Sequence, residues 1–413
     1  MNILYLCADW GIPVRGHKGA SVHVREVVNT FDRLGHRVAL AFANGGEGNP
    51  DPSAIMIDMT PDVSNHDRAR EVELRGIELD PDDKPLRREV EKLAYDRRLA
   101  TKLRSKLDAI GFAPDIVYER FSLFHEAGAA LARALEVPHF LEVNAPLLEE
   151  QESHRGLRLK SLAHAAQAQC FASASHIFTV SQSLKRYVEG EGVPDGRVTC
   201  LPNGVDTRRF APGVDPNPTR ARYGLGEHPV IGFVGSLKPW HGLDFLFDAM
   251  DELVTLDETC RMVIVGDGPG SDYARFRAAE PHLESRIVLT GKVPYDEIPA
   301  HLAAMSLTVA PYVAQDGFYF SPLKVVESLA AGRPVVAPRI GQLSDLIEDG
   351  VTGLLYPPGD LAAFTACLHR LLANPAERNR MAVNARQQAE RTLSWESVVH
   401  RALAIISEAE GAA

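Results

Sequence analysis

Cysteine is scarce in this sequence, and the cysteines present show no metal-binding spacing. The chain of 413 residues contains five, namely Cys7, Cys170, Cys200, Cys260 and Cys367. Zinc, haem and redox motifs place cysteines in short, regular spacings, and none of those spacings occurs here. An odd number of scattered cysteines is typical of reduced thiols within a protein core, so we expect neither disulfides nor a cysteine metal site.

Long apolar runs and an excess of positive charge are also missing. No stretch of about 18 apolar residues is present, and residues 1–6 lack the basic start of a secretory signal. The sequence therefore predicts a cytoplasmic protein. The formal net charge is -11 at pH 7, whereas nucleic-acid-binding proteins need a basic face for the phosphate backbone. We expect no nucleic-acid partner, and any anion site must be local.

The first loop lacks the Gly-x-Gly-x-x-Gly fingerprint of dinucleotide-binding enzymes. A strand-like run at 3–8 leads through a polar loop, Gly16-His17-Lys18-Gly19, to a helical pattern and then a second strand at 37–42. The glycines of this loop would let backbone amides approach a ligand at the helix start. A hydride-transfer enzyme thus loses its main sequence support.

The length of the chain predicts two domains, because it exceeds what one hydrophobic core usually serves. Buried strand-like runs alternate with helical patterns throughout, which predicts the α/β class with two doubly wound sheets and a ligand cleft between them. Residues 210–227 are rich in proline, glycine and arginine and have the composition of an interdomain linker. Residues 84–106 form a basic amphipathic helix, either a solvated face or a patch for a membrane surface or acidic acceptor.

Catalytic loops in parallel sheets follow the carboxyl ends of the strands. Two strand-like runs end near Glu119 and Arg120 and near Glu142 and Asn144. These polar residues are candidates for a site at this edge of the sheet. Asn144 can hydrogen-bond but cannot act as a base, and it has the alternative role of capping the next turn.

The stretch at 317–337 carries the strongest local signals. Ser321 suits a helix N-cap and Pro322 the first helical position. Gly332 suits the left-handed position after the helix, and residues 334–337 have the pattern of a buried strand.

Glu327 borders the buried stripe of this helix, so its carboxylate needs a partner. One alternative is an ion pair with Lys324, three residues away. The other is that Glu327 accepts hydrogen bonds from a pair of ligand hydroxyls, while the helix start holds an anion such as a diphosphate.

The loop after the buried run 230–235 contains Ser236, Lys238 and His241. A cation at this strand end would stabilise an anionic leaving group, whose charge grows in the transition state. Lys238 is the candidate, with His241 contributing if it is protonated. The alternative is a solvent-exposed lysine beside a packed tryptophan.

Residues 317–337 resemble the signature of glycosyltransferase family 4, retaining enzymes of the GT-B fold that use nucleotide-sugars. The resemblance implies that Glu327, matching the second acid of the family's glutamate pair, binds the ribose hydroxyls. Tyr319 stands where the first acid is usual, and a variant ending in Ser-Pro-Leu-Lys is similar to forms within the family.

Other segments are similar to the same family. Gly19 matches a glycine that contacts donor phosphate, Gly266 begins a Gly-Asp-Gly-Pro turn, and Val293 ends a strand near the nucleotide base. Asn144 stands at a position where a histidine is frequent. Ser236 and His241 match positions where arginine and lysine are usual, so Lys238 is the expected substitute for the lost charge.

The resemblance implies a GT-B fold with two Rossmann-like domains facing each other across a cleft, at 1–205 and 206–394, and a C-terminal helix at about 395–413 that packs back on the first. The expected catalytic residues are Lys238, Asn144 and Glu327. The expected donor site comprises Gly19, Ser236, Lys238, His241, Gly266, Val293, Tyr319, Phe320, Ser321, Pro322, Leu323, Lys324 and Glu327, and the acceptor side His23, Glu119, Arg120 and Glu142.

The implied reaction is metal-independent transfer of a sugar from a UDP- or GDP-sugar to an acceptor hydroxyl, with retention and no cofactor. The Asp-rich residues 80–83 are turn-like and are not expected to bind metal. Alternatives are a sugar-nucleotide epimerase of the same fold and a nucleotide-sugar-binding protein without turnover. Donor, acceptor and oligomeric state stay open, and peripheral membrane contact is not favoured.

Overall fold

The computed structural model describes residues 1–80, 82–154, 156–313 and 318–411. It divides into two compact units, Met1–Pro202 with Val399–Ala413, and Asn203–Val398. Three predicted features reach beyond the described residues. These are Gly317 at the start of the signature stretch, residues 412–413 of the C-terminal helix, and Pro81 within the Asp-rich turn.

The first unit is built on one parallel sheet of seven strands. The strands are β1 (Asn2–Cys7), β2 (Arg37–Phe42), β3 (Ile55–Asp58), β4 (Ile116–Arg120), β5 (His139–Val143), β6 (His176–Thr179) and β7 (Val198–Cys200). Their order is β3-β2-β1-β4-β5-β6-β7. Central β1 is an almost continuous apolar run because both faces of a parallel sheet are covered.

Among the residues that the structure describes, seven α-helices connect these strands. They are α1 (Gly19–Arg33), α2 (Asn65–Arg75), α3 (Lys84–Ala109), α4 (Ala127–Leu135), α5 (Leu147–His154), α6 (Lys160–Ser173) and α7 (Gln182–Gly190). Side-chain oxygens start three of them by accepting backbone N–H groups of the first turn: Ser64 caps α2, Asp83 caps α3 and Ser181 caps α7. Such caps satisfy donors that a helix start otherwise leaves unpaired.

The second unit has a parallel sheet of six strands. They are β8 (Val230–Val234), β9 (Arg261–Val265), β10 (Ile287–Gly291), β11 (Leu307–Val309), β12 (Val335–Pro338) and β13 (Gly353–Tyr356). The order is β10-β9-β8-β11-β12-β13. Its helices are α8 (Asn217–Arg222), α9 (Leu243–Leu256), α10 (Ser271–Ala278), α11 (Ile298–Ala304), α12 (Leu323–Ala330), α13 (Leu343–Leu346), α14 (Leu361–Ala373) and α15 (Pro375–Gln388), followed by α16 (Trp395–Gly411), which enters the first unit at Val399.

Both sheets have the doubly wound topology predicted from the alternating pattern. The strand order reverses direction between β1 and β4 in the first unit and between β8 and β11 in the second. Ligands of such sheets bind beyond the carboxyl ends of the strands at this reversal. The loops that follow these four strands are therefore the places to look for a site in each unit.

The predicted linker at 210–227 is wrong, because the segment packs into the second unit. Phe210 is fully buried in its core, Leu225 is 1% exposed, and α8 lies between them. Proline and glycine here shape tight turns around a short helix, and composition alone does not distinguish such turns from a linker.

Several cations of the basic helix α3 pair with acids of the preceding segment and remain partly exposed to solvent. Arg97 pairs with Glu71 of α2, Arg98 lies 2.7 Å from Asp67, and Lys102 lies 2.6 Å from Asp62. Exposed pairs of this kind fit the solvated-face alternative, while a patch for a membrane surface or acidic acceptor stays a prediction. In the part of the chain that the structure describes, no helix combines the length and apolar character needed to cross a bilayer.

Candidate active site

Glu327 is a buried carboxylate near the β8–β11 reversal of the second unit. It lies on α12 and is 6% exposed. The hydroxyl of Tyr295 donates to its Oε1 at 2.8 Å, and the Arg209 guanidinium lies over the Tyr295 ring at 4.6 Å. Burial raises the pKa of Glu327 to about 7, against the opposing effects of Tyr295, Arg209 and Lys324. Perturbed carboxyls of this kind are typical of functional sites.

Lys324 does not form the ion pair with Glu327 that one alternative expected. Its ammonium instead lies over the ring of Phe233, 4.3 Å from the centroid, and near that of Tyr312, at 5.0 Å. The Nζ atom is buried and has no hydrogen-bond partner among the described residues. Burial lowers the pKa of Lys324 to about 7, although the charge of Glu327 opposes the shift.

The start of α12 differs from the prediction. Leu323 is its first residue and Pro322 is the N-cap, with an extended backbone and no side-chain cap. Ser321 is not the cap, because its Oγ and carbonyl accept hydrogen bonds from the backbone and side-chain amides of Asn203, at 3.0 and 2.7 Å. The first-turn N–H groups of α12 are therefore left without a side-chain acceptor. The predicted left-handed Gly332 is confirmed, with φ of 65°.

Two glycines bring the ends of β8 and β9 close together beside this helix. Gly235 has φ of 145° and Gly266 has φ of 140°, in a region that side-chain-bearing residues rarely adopt. A Cβ atom on Gly266 would lie 1.9 Å from the carbonyl oxygen of Gly235, and one on Gly235 would lie 2.8 Å from Nζ of Lys324. Glycine at both positions therefore lets the two strand ends and the Lys324 side chain approach one another closely, because a Cβ atom would occupy that space.

His241 was expected to contribute positive charge only if its ring is protonated, and it is neutral. It is 7% exposed, and its Nδ1 is hydrogen-bonded to the carbonyl oxygen of Ser236. Since a carbonyl only accepts, this nitrogen carries the proton. Burial and the neighbouring lysines lower the pKa of His241 to about 3, so the ring is neutral at pH 7.

Lys238 lies half-buried with its Nζ 5.8 Å from the ring centroid of Trp240. Trp240 is itself 40% exposed. The lysine lies at the strand end, but it is not a fully exposed lysine and its tryptophan neighbour is not packed, so the alternative does not fit. Its catalytic role stays a prediction.

The remaining predicted donor residues form an aromatic rim. Tyr319 and Phe320 are half-buried, with ring centroids 4.4 Å apart, and Phe320 packs edge-on against Phe318 at 5.4 Å. Val293 packs at the margin of the same unit's core, with Phe320 and Leu323. Apolar faces of this kind can border a base or a sugar.

In the first unit, the predicted phosphate loop is held rigidly. Arg25 donates to the carbonyls of Val14 and Gly16 at 2.8 and 2.6 Å, and the Asn49 amide donates to Gly16 at 3.0 Å. Gly19 is exposed and is the first residue of α1, whose N-cap makes no side-chain hydrogen bond. The amides at this helix start therefore face outward from a fixed loop.

Glu142 is the centre of the predicted acceptor side. Its Oε1 contacts Nε2 of His23, accepts from the Asn144 amide at 2.6 Å and lies 3.6 Å from Nη1 of Arg120. The Tyr5 hydroxyl donates to Oε2 at 3.3 Å. Burial alone would raise the pKa of Glu142, but His23, Arg120 and Asn144 outweigh it and lower the pKa to about 2. Asn144 thus bonds to Glu142 and does not cap the next turn.

Glu119 belongs to a different environment from the other acceptor-side candidates. It is 1% exposed, accepts a hydrogen bond from Nε2 of His139 at 2.8 Å, and fills the space beside Gly128 of α4. Successive strand residues point to opposite faces of a sheet, so Glu119 and Arg120 face different surroundings. The acceptor-side role of Glu119 stays a prediction.

Among the described residues, three side chains offer ligand atoms close enough to hold a metal ion. Asp251, Glu280 and His282 lie on the surface of the second unit. The guanidinium of Arg277 already lies 2.6 Å from Asp251 and 2.9 Å from Glu280, so it neutralises the same carboxylates. None of these residues contacts Glu327 or Lys324.

Sequence reasoning missed Tyr295 and Tyr5 as partners of the two buried carboxylates. Tyr295 follows β10, and Tyr5 is the middle of an apolar strand. Both reach their glutamates through pairing across the fold, at separations of 32 and 137 residues. A buried glutamate signals that some donor is needed, but nothing local indicates which residue provides it.

Two family models match the chain. "Glycosyltransferase Family 4" matches residues 17–209, and "Glycosyl transferases group 1" matches residues 228–374. Together the two matches span most of the sequence and include both candidate sites.

Curated relatives carry glycosyltransferase names. The chain is 34% identical over 222 residues to GDP-mannose-dependent alpha-(1-6)-phosphatidylinositol monomannoside mannosyltransferase of Mycolicibacterium smegmatis, covering 53% of this chain and 58% of the relative. It is 28% identical over 313 residues to D-inositol 3-phosphate glycosyltransferase of Acidothermus cellulolyticus (71% and 67%) and 29% identical over 256 residues to 2-deoxystreptamine glucosyltransferase of Streptomyces kanamyceticus (60% and 65%). The chain thus spans about three fifths to two thirds of their lengths.

Solved structures share the fold. Sucrose-phosphate synthase from Thermosynechococcus elongatus superposes with a TM-score of 0.72 at 17% identity, covering 100% of both chains. HepE of Anabaena in complex with UDP gives 0.71 at 19% identity, covering 99% of this chain and 100% of that one. The predicted class, GT-B with two Rossmann-like domains, is confirmed. The resemblance to glycosyltransferase family 4 is confirmed by these matches, and the signature at 317–337 lies within the match to "Glycosyl transferases group 1".

Proposed function

We propose that this protein is a retaining glycosyltransferase that moves a sugar from a nucleoside-diphosphate donor to an acceptor hydroxyl without a metal ion. The observation that carries the proposal is the buried carboxylate of Glu327. Its Oε1 is hydrogen-bonded to Tyr295, and it lies at the strand-order reversal, one turn into a helix whose first amides have no side-chain cap. A carboxylate for ribose hydroxyls beside free amides for phosphate is the recognition a nucleotide-sugar needs.

In the proposed reaction the acceptor hydroxyl attacks the anomeric carbon from the face that the diphosphate leaves. The bond from that carbon to the phosphate oxygen breaks, the bond to the acceptor oxygen forms, and the acceptor proton passes to the departing phosphate. The chain's own role is to hold both substrates and to stabilise the charge on the leaving group. Glu142 would act on the acceptor side through Asn144 and Arg120, which it orients.

The donor and acceptor are proposed by class only. Solved relatives of this fold were crystallised with UDP or UDP-glucose, and one curated relative is named for GDP-mannose. Three relatives are named for acceptors built on a cyclitol ring, namely an inositol lipid, D-inositol 3-phosphate and 2-deoxystreptamine. A polyhydroxylated ring is therefore the acceptor class to test first.

The first test is a panel of substrates. UDP-glucose and GDP-mannose are each incubated with the protein, alone and with D-inositol 3-phosphate or 2-deoxystreptamine, and release of the nucleoside diphosphate is measured. We expect release that depends on an acceptor and a product whose anomeric configuration, read by NMR, equals that of the donor. Conversion of the donor without acceptor would support an epimerase, and binding without any release a binding protein.

A second test concerns the metal. Charge neutralisation by amides and a lysine predicts that EDTA leaves the transfer rate unchanged and that added Mg²⁺ or Mn²⁺ does not raise it. A metal-assisted transferase would instead lose activity on chelation, because the ion itself would carry the leaving-group charge. The assay is the same release measurement, with untreated enzyme as its control.

A further inference from the structure

The loop after β8 provides no buried cation for a diphosphate. Ser236 is uncharged and exposed, and burial lowers the pKa of His241 to about 3 and keeps its ring neutral. Lys238 is half-buried and lies over an exposed tryptophan. Yet a leaving diphosphate gains negative charge as its bond to the sugar breaks, and a preorganised positive group in a dry site is the strongest means of stabilising it.

A buried ammonium does lie at the end of this strand. It belongs to Lys324, in the first turn of α12, and it is close enough to Gly235 that a Cβ there would contact Nζ at 2.8 Å. The rings of Phe233 and Tyr312 lie beneath it at 4.3 and 5.0 Å. Two strand ends, a helix start and an ammonium group therefore converge on one point.

Within the described part of the chain, the buried ammonium of Lys324 lacks the hydrogen-bonding partner that a buried charge normally has. A buried charge is costly unless it is paired, and aromatic faces compensate only part of that cost. Within the described residues Nζ of Lys324 has no hydrogen-bond partner and no carboxylate within ion-pair distance. An apolar side chain of similar length would pack there more cheaply. What an anion would add is the missing partner for three ammonium protons.

We propose that the side chain of Lys324, rather than that of Lys238, binds the diphosphate of the donor and stabilises the charge that develops on it during transfer. This assignment rests on the proposed function. It makes the Ser-Pro-Leu-Lys segment a source of both amides and a cation, and it places the charge on α12, three residues before Glu327.

The charged and titratable groups around Lys324 determine how its binding depends on pH. Glu327 lies on its own helix, and His241 and Tyr312 lie on the surrounding segments. Lys238 acts on His241, and Arg209 acts on Glu327. Because the pKa of Lys324 is lowered to about 7, the amine is mostly neutral at pH 8. A bound diphosphate favours the charged form, so binding at pH 8 is expected to take up a proton. His241 cannot supply this signal, because its pKa is about 3. Ribose hydroxyls that donate to Glu327 would hold its carboxylate in the ionised form, so Glu327 is expected to release a proton on binding and not to take one up.

The test uses the full-length protein and calorimetric titration with UDP and with GDP at pH 8, in two buffers of different ionisation enthalpy. Phosphate esters have a second pKa of about 6, so the ligand is already fully ionised. Wild-type protein is expected to take up close to one proton per bound nucleotide. Lys324→Met should abolish this uptake, whereas Lys238→Met should retain it. Lys160→Met, which removes an exposed lysine of the first unit, controls for loss of one positive charge.

Turnover and stability complete the comparison. Lys324→Met is expected to lower kcat about a hundred-fold, the scale of one preorganised electrostatic contact, and more than Lys238→Met does. Its thermal midpoint should equal or exceed that of the wild type, because a desolvated charge has been removed. Lys324→Arg should recover part of the activity.

The outcomes separate the two proposals. Proton uptake and turnover that survive in Lys324→Met, or a fall in its thermal midpoint with unchanged nucleotide binding, would overturn the role of Lys324 while leaving a nucleotide-sugar transferase intact. A wild-type protein that binds neither UDP nor GDP would overturn the proposed function, and the role of Lys324 with it.

Discussion

Glu142→Gln is expected to destabilise the first unit by about 3–5 kcal/mol, the usual result of removing one partner from a buried ion pair. The substitution keeps the volume but removes the charge that faces His23 and Arg120. Arginine cannot lose its proton in a protein, so its charge would be left buried and uncompensated. The measurement is urea denaturation, together with hydrogen exchange of peptides from β1, β4 and β5.

Glu119→Gln is the matched control for this prediction. Glu119 is as deeply buried as Glu142 and lies on the neighbouring strand, but its partner is His139. Histidine can give up its proton, so a neutral pair can persist. We expect a loss of only about 1 kcal/mol, one hydrogen bond. Equal losses for both variants would show that packing, and not the uncompensated arginine, decides the stability.

The effect of Glu142 on stability also has a defined pH window. Its folded-state pKa is lowered to about 2, below the value of about 4.3 for an unfolded chain. The stabilisation is therefore fully present above about pH 4.3 and is lost as the pH falls through about 2. Glu142→Gln should flatten the loss of stability over that interval and leave the pH dependence near neutrality unchanged.

Local chemistry in the sequence predicted the helix at α12, its left-handed glycine and the exceptional position of Glu327. These depend on residues within one or two turns, where periodicity and backbone preference act directly. Ser321 shows where this fails, because a good N-cap residue is used instead to bond Asn203, far away in the sequence. The tertiary contact overrides the local propensity.

The electrostatics of the candidate site could not be predicted because they depend on orientation. The spacing of Lys324 and Glu327 suits an ion pair, yet the lysine points to Phe233 and the glutamate to Tyr295. Likewise Glu119 and Arg120 are adjacent in sequence but lie on opposite faces of the sheet. Only the pairing of β8 with β11 and of β4 with β5 decides which groups meet.

Glu327→Gln is expected to weaken binding of UDP or GDP about ten- to a hundred-fold, with turnover at saturating donor less affected. A hydrogen bond to a charged group contributes about 1.5–3 kcal/mol, and each 1.4 kcal/mol is about tenfold in affinity. If the carboxylate holds the ribose equally in the ground and transition states, the loss appears in donor binding and not in kcat. Tyr295→Phe, which removes only the supporting hydroxyl, should have a smaller effect.

The pH dependence gives this prediction a second readout. Burial raises the folded-state pKa of Glu327 to about 7, so its contribution to stability is complete below the unfolded value of about 4.3 and is lost as the pH rises through about 7. The stability of Glu327→Gln relative to the wild type should therefore be higher at pH 8 than at pH 4.5. Thermal unfolding at the two pH values measures this difference, and a variant that loses stability equally at both would point to a purely structural glutamate.

A ligand that lacks one hydroxyl tests the ribose contact itself. Wild-type protein should bind UDP more tightly than 2′-deoxy-UDP, because a buried carboxylate left without its hydroxyl donor is costly. In Glu327→Gln that preference should shrink, since the charge that made the missing hydroxyl costly is gone. The coupling between the two changes isolates the contact from any general loss of binding. If the preference for the ribonucleotide is as large in Glu327→Gln as in the wild type, the hydroxyls are held elsewhere, and the buried carboxylate serves Tyr295 and the packing of α12 alone.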